Sequence, residues 1–267
     1  MHNESYWLLL RLRKPLPVDI YDPLEAAHPA CSADSFTGGL GMIQIVRYSE
    51  TPVGPYDELL LIPGNFSVPS GSQKSKKRLR VSRIYVSQKE TTWNGKVLQG
   101  RKRRPPLTRA VAGRKNWNLP KHLARFEFSA PPVKKGTPPP KELTVAVFPH
   151  GSTEGDTARP FFQATLTPVR SLPALPFSTK WSPLNTMLIQ PPLPQGDDRL
   201  LCGTDTWKAL EIGFRSRRAR LMWVGQADED AGAVAREGHW PGVRPWRIGL
   251  WLEAATLEVP VPHEWAG

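Results

Sequence analysis

Ala124-Arg125-Phe126-Glu127-Phe128 alternates apolar and charged side chains without a break. Successive side chains of a strand point to opposite faces, so Phe126 and Phe128 share one face and Arg125 and Glu127 the other. Ala255-Thr256-Leu257-Glu258-Val259 repeats the pattern near the C-terminus. Outward from these two stretches, strand-like runs cover Tyr6–Leu12, Met42–Arg47, Glu58–Ile62, Leu79–Val86, Leu143–Phe148, Phe161–Leu166, Trp207–Phe214, Arg220–Val224 and Ile248–Val259. Proline- and glycine-rich stretches such as Pro131–Pro140 and Pro191–Gly196 punctuate them. A short Ala-rich helix is predicted only at Asp228–Arg236, with Gly238 as its stop. The fold class read from this pattern is mainly β: an antiparallel sheet closed into a barrel or cone around a pocket, with few short helices.

The chain has 267 residues, among them ten Trp, nine Phe and 29 Pro. The aromatic residues suffice for a sizeable core, and the prolines favour short strands and many loops. A single domain over residues 1–267 is predicted, because closed β folds of this length need no division. Two segments read as loop insertions, 67–77 and 96–113. Ser67–Lys77 is polar and basic, and Lys96–Gly113 is basic around Pro105-Pro106. Gly95-Lys96-Val97 is also the peptide that a codon-split GGTAAGT donor site would encode. The second segment therefore reads either as a surface loop or as an artefact of the gene model.

The formal net charge is +12, which raises nucleic acid as a partner. The excess sits in two clusters, Lys74 to Arg80 and Lys96 to Arg109. Neither Ser72–Arg80 nor Lys96–Arg104 contains an aromatic residue on which a base could stack. No nucleic-acid partner is expected. No run of about 18 apolar residues is present, so no membrane-spanning helix is expected either. Two cysteines and an N-terminus without a basic leader point to a cytoplasmic protein. The six histidines show no ligand-pair spacing, and no Gly-x-Ser-x-Gly elbow occurs. Neither a metal nor a cofactor is expected, and self-association is left open. Gly38-Gly39-Leu40-Gly41 is followed by no helix that could receive a phosphate, and reads as a turn or a backbone crossing.

One pair of motifs remains. Gly113-Arg114-Lys115-Asn116-Trp117-Asn118-Leu119-Pro120-Lys121-His122 precedes the strand of the opening paragraph. Upstream lies Val53-Gly54-Pro55-Tyr56-Asp57-Glu58. The first resembles the signature of the acetoacetate decarboxylase family, Gly-Arg-Glu, a spacer and Pro-Lys-Lys. The second resembles that family's Leu-Gly-x-Tyr-x-Glu segment. The resemblance covers Met42 to Phe128 and extends loosely to the last strands. It implies a lysine-imine lyase acting on a β-keto acid or related small keto compound, with Lys121 as the Schiff-base lysine and Glu58 as an active-site carboxylate. It also implies a substrate pocket that includes Tyr56, Arg114, Trp117 and His122.

The chemistry accounts for the residue types. A β-keto acid loses CO2 readily once its ketone is a protonated imine, and the lysine must attack as a neutral amine. Burial among apolar residues such as Trp117, Leu119 and Leu123 disfavours a charged amine. The sequence departs from the family in placing His122 at the second lysine and Lys115 at the glutamate. The position of the family's pocket arginine falls near Glu4. A larger or less acidic keto compound, or an aldol-type reaction through the same imine, then fits better than acetoacetate. The alternative reading is a non-catalytic barrel that binds a small apolar ligand.

Overall fold

The computed structural model describes residues 1–26, 35–68, 77–94, 117–134, 136–153, 159–181, 186–193, 203–226 and 240–266. In chain order the strands are β1 (His2–Leu10), β2 (Phe36–Gly38), β3 (Gly41–Glu50), β4 (Tyr56–Ile62), β5 (Asn65–Ser67), β6 (Lys77–Leu79), β7 (Arg83–Val86) and β8 (Lys121–Phe128). They continue with β9 (Leu143–Pro149), β10 (Phe162–Pro168), β11 (Leu175–Ser178), β12 (Met187–Gln190), β13 (Thr206–Glu211), β14 (Gly213–Gln226), β15 (Ile248–Glu258) and β16 (His263–Ala266). The described α-helices, α1 (Pro23–Ala26) and α2 (Lys89–Asn94), are short, so the protein is mainly β.

The larger sheet has ten strands in the order β10-β9-β8-β7-β4-β3-β1-β15-β14-β11. β14 is long enough to pair twice along one edge. Its Arg215–Ala219 stretch takes β11, and Met222–Gln226 takes β10. Because β10 also pairs β9, the hydrogen-bonded order returns to its start. Each strand of this ring sends a side chain into one cluster, including Tyr6, Ile45, Leu59, Tyr85, Ala164 and Trp251. All strands of a ring can share one cluster only on its inner side, so the interior is packed with side chains. Tyr6 meets Trp251 edge to face there, with ring centroids 4.9 Å apart.

The second sheet has six strands, β16-β13-β12-β6-β5-β2. It faces the outer side of β1, β3, β4 and β7. Trp7, Val46, Leu60 and Ile84 from the ring pack there with Leu79, Leu188 and Leu210 from the second sheet. Each ring strand therefore has two buried faces in this region, which is why β4 ends in the unbroken apolar run Leu59–Ile62.

Two predicted strands are each divided between the sheets. Leu79–Val86 becomes the end of β6 in the second sheet and β7 in the ring. Trp207–Phe214 likewise becomes β13 and the start of β14. Both stretches are buried on either side of the crossing, so apolar character alone does not mark it. Arg80, at the first crossing, is only 1% exposed and donates to Glu25 at 2.6 Å. It belongs to the interior and not to a basic surface cluster. The pairing is antiparallel except for β7 with β8 and β6 with β12. A parallel neighbour requires a crossover of about a dozen residues or more, and the chain between Val86 and Lys121 provides it. Segment 96–113, most of 67–77 and the predicted helix Asp228–Arg236 lie outside the described residues. In the Gly38–Gly41 stretch, Gly38 and Gly39 take positive φ of 83° and 102°, and Gly41 is set by close approach, since a Cβ there would sit 2.5 Å from the carbonyl oxygens of Ile62 and Pro63.

Candidate active site

Asn118 fixes the approach to the candidate lysine. Its backbone is left-handed, with φ of 49°, a conformation Asn tolerates better than most residues. Its buried amide donates to the carbonyls of Pro191 at 3.0 Å and Thr206 at 2.7 Å, and its Oδ1 accepts from Thr204 at 2.9 Å. These bonds tie the lead-in to the second sheet. Three residues later Lys121 opens β8, opposite Ile84 of β7. Glu58 lies within β4, opposite Val46 of β3 and Val86 of β7. β7 is thus the one strand between Lys121 and Glu58. The two residues meet across three neighbouring strands, and closure of the ring is not needed to join them.

Lys121 Nζ lies 3.4 Å from Glu58 Oε2, and each side chain is 7% exposed. Tyr56 is two residues before Glu58 on the same face of β4, and its hydroxyl donates to the same Oε2 at 3.4 Å. Lys121 Nζ is 5.9 Å from the centre of the Tyr56 ring, within reach of a cation–π contact. Tyr48 stands opposite Tyr56 in the ladder and stacks on it at 4.5 Å. Burial, reinforced by the Glu58 charge, pushes both tyrosine hydroxyls well above their usual range. Both remain protonated donors at neutral pH.

These residues face a cavity of about 900 Å³ between the outer side of the ring and the second sheet. The predicted pocket exists, but it is not the interior of the ring, which side chains fill. Trp117 lines it, and its indole nitrogen donates to Pro260 O at 3.4 Å. Strand periodicity explains much of the rest. Alternate residues Met42, Gln44, Val46 and Tyr48 of β3, and Tyr56, Glu58, Leu60 and Ile62 of β4, all line it.

The structure does not bring every expected residue to this cavity. His122 follows Lys121 in a strand, so it faces the other way. Its Nε2 lies 2.6 Å from Asp22 Oδ2, and its ring lies 5.8 Å from that of Tyr85, a member of the interior cluster. It therefore does not stand in for a second cation beside Lys121. Glu4 is also on the far side of its strand, where it accepts from Trp251 Nε1 at 2.7 Å and from the backbone of Val133 at 3.0 Å. Arg114 lies outside the described residues. Tyr48, Leu60 and Ile62 are cavity residues that the motif reading did not single out. The period of two forward from Glu58 was the signal for Leu60 and Ile62, whereas Tyr48 lies on β3, beyond the Thr51–Gly54 turn, and is brought in by its pairing with Tyr56. Among the described residues, no three His, Cys, Asp or Glu side chains form a metal-binding group. No described helix is long and apolar enough to cross a membrane.

No protein-family model and no curated protein matches the chain. Among solved structures it resembles an acetoacetate decarboxylase-like enzyme from Sphingomonas wittichii RW1. The TM-score is 0.51 at 10% identity, over 99% of this chain and 91% of that one. At that identity the likeness speaks for architecture and not for substrate. The chain shares the fold of that acetoacetate decarboxylase-like enzyme.

Proposed function

We propose that the protein is a Schiff-base-forming lyase in which Lys121 condenses with the ketone of a small keto compound. The observation that carries this reading is the Lys121–Glu58 pair, 3.4 Å apart and almost fully buried, facing a cavity of about 900 Å³. A buried ion pair is weak as a device for stability, because desolvation offsets its attraction. A paired amine and carboxylate at the wall of a cavity are more readily explained by chemistry on a bound molecule. In this reading the ring is a barrel and residues 1–267 act as one domain. The reaction needs no cofactor, since the iminium itself accepts the electron pair.

The shared proton passes from Nζ to Glu58, leaving an amine and a carboxylic acid. Nζ attacks the carbonyl carbon, and the proton shed by the attacking nitrogen passes to the carbonyl oxygen to give a neutral carbinolamine. Glu58 protonates the departing hydroxyl, water leaves, and a protonated imine remains. With a β-keto acid, the bond to the carboxylate then breaks, CO2 departs and the electron pair enters the iminium to form an enamine. Protonation of the enamine carbon and hydrolysis return Lys121. The tyrosine hydroxyl on Glu58 keeps the carboxyl group aimed at Nζ throughout.

One observation favours the second reading, a non-catalytic binding barrel. The group nearest Nζ is a carboxylate at 3.4 Å, and His122, on the opposite face, places no second cation beside the lysine. Solution NMR of a methyl ketone in D2O separates the two. An imine accelerates exchange of the hydrogens next to the carbonyl, and Lys121→Met abolishes that acceleration. Binding without exchange supports the non-catalytic barrel.

A further inference from the structure

The chain's preferred ligand class follows from the shape and charge of the same cavity, and rests on the reading of Lys121 as the anchoring amine. Glu58, Leu60 and Ile62 lie on one face of β4, facing the cavity. At ~3.3 Å per residue, the strip from Glu58 to Ile62 is about 13 Å long. Val46, opposite Glu58, and Met42, opposite Ile62, run beside it on β3, and Gln44 between them turns its amide to Met42 Sδ at 3.1 Å. Leu188 and Leu210 of the second sheet face the strip from above. The ion pair therefore stands beside an apolar trough that leads away from it along two strands.

Volume and charge agree with an occupant that extends along this trough. A cavity of about 900 Å³ has room for roughly 30 water molecules at liquid density, far more than a four-carbon acid displaces. The charged side chains lining it are Glu58, Glu211, Glu258, Lys121 and Lys180. Of the two lysines, Lys180 is exposed and Lys121 is buried beside Glu58, while the terminal ammonium of Met1, also on the cavity, donates to Leu257 O at 3.2 Å. A carboxylate placed beside the reacting ketone would share Lys121 with Glu58 and meet the negative charge of Glu58. We infer that the site takes a keto compound that is uncharged next to its carbonyl. Its long aliphatic or aryl-alkyl body lies along β4 from Glu58 toward Ile62, and Leu60 and Ile62 set its length.

A homologous series of methyl ketones from butanone to nonanone, with acetoacetate as the anionic comparison, tests this on the intact chain. Each ketone is trapped on the protein with borohydride, and the half-saturating concentration is read from intact mass. That concentration is expected to fall about fourfold per added methylene until the trough is full, with acetoacetate trapped no better than butanone. Ile62→Trp fills the far end, so the advantage of nonanone over butanone shrinks by roughly tenfold or more, the worth of about two methylenes. Leu210→Phe, from the facing sheet, should narrow the advantage in the same way if Ile62→Trp does not fold. A flat dependence on chain length, or acetoacetate as the best-trapped compound, overturns the inference while leaving the imine reading intact. If no compound is trapped but tryptophan fluorescence shows the same chain-length trend in binding, the trough stands and the imine reading fails.

Discussion

Replacing Lys121 by Met removes one partner of the buried pair and nothing else of comparable charge. At 3.4 Å and an effective dielectric constant of ~20, the gross attraction between the two charges is ~5 kcal/mol. The separation is longer than the ~2.8 Å of a strong charge-assisted bond, which places the expected loss at the lower end of the usual range, ~3 kcal/mol. Glu58 would keep the Tyr56 hydroxyl as a donor, yet would carry an uncompensated charge at 7% exposure. Glu58→Leu should cost a similar amount by stranding the ammonium. The double replacement puts apolar side chains on both sides and should return to within ~1 kcal/mol of the parent. Urea unfolding of the four proteins at pH 7 yields a coupling of roughly 5–7 kcal/mol if the pair is buried as described. The pH dependence adds a second check. An unpaired buried carboxylate keeps its proton to higher pH than in the unfolded chain, so the Lys121→Met deficit should shrink on acidification. Single variants within ~0.5 kcal/mol of the parent, as found for solvated surface pairs, would refute the reasoning.

Three further outcomes follow from the structure. Burial pushes Glu25 up to about 7 from a reference of 4.5, against the opposing pull of Arg80. The folded chain then binds more protons than the unfolded one between those values, so stability falls as pH rises from 4.5 to about 7. The fall is at most ~3 kcal/mol, and Glu25→Gln should remove it from pH-dependent urea unfolding. Asn118→Ala should lose ~2–4 kcal/mol, because it strands buried carbonyls and keeps a left-handed backbone, while Asn118→Gly should recover ~1 kcal/mol of this in the same assay. Trp251→Ala, which leaves a cavity in the ring's inner cluster and removes one of two donors to Glu4, should lose at least ~4 kcal/mol.

The alternation at Ala124–Phe128 and Ala255–Val259 places β8 and β15 because period-two patterning is local. The sheet to which a strand belongs is not. Leu79–Val86 is buried at every position, including the polar Arg80 and Ser82 of the crossing, so neither exposure nor alternation marks where it changes sheet. The partners that divide it, β12 for Leu79 and β8 for Ile84, lie more than thirty residues downstream in the chain. Short strands such as β2, β5 and β16 contain three or four residues each, too few to show a period. At the site, the motif order placed Lys121, Glu58, Tyr56 and Trp117 at one cavity. It could not show that the cavity lies outside the ring, because that depends on a second sheet assembled from short segments. The orientation of His122 was legible, however. Adjacent residues of a strand cannot both face one pocket, and Lys121 begins the strand.

The most direct measurement is the location of the label after borohydride reduction with acetoacetate and with a long-chain methyl ketone. The treated protein is digested and its peptides mapped by mass. The account predicts an alkyl adduct on Lys121 and none in Lys121→Met. An adduct on a different lysine such as Lys180, or no adduct with either compound, would contradict it.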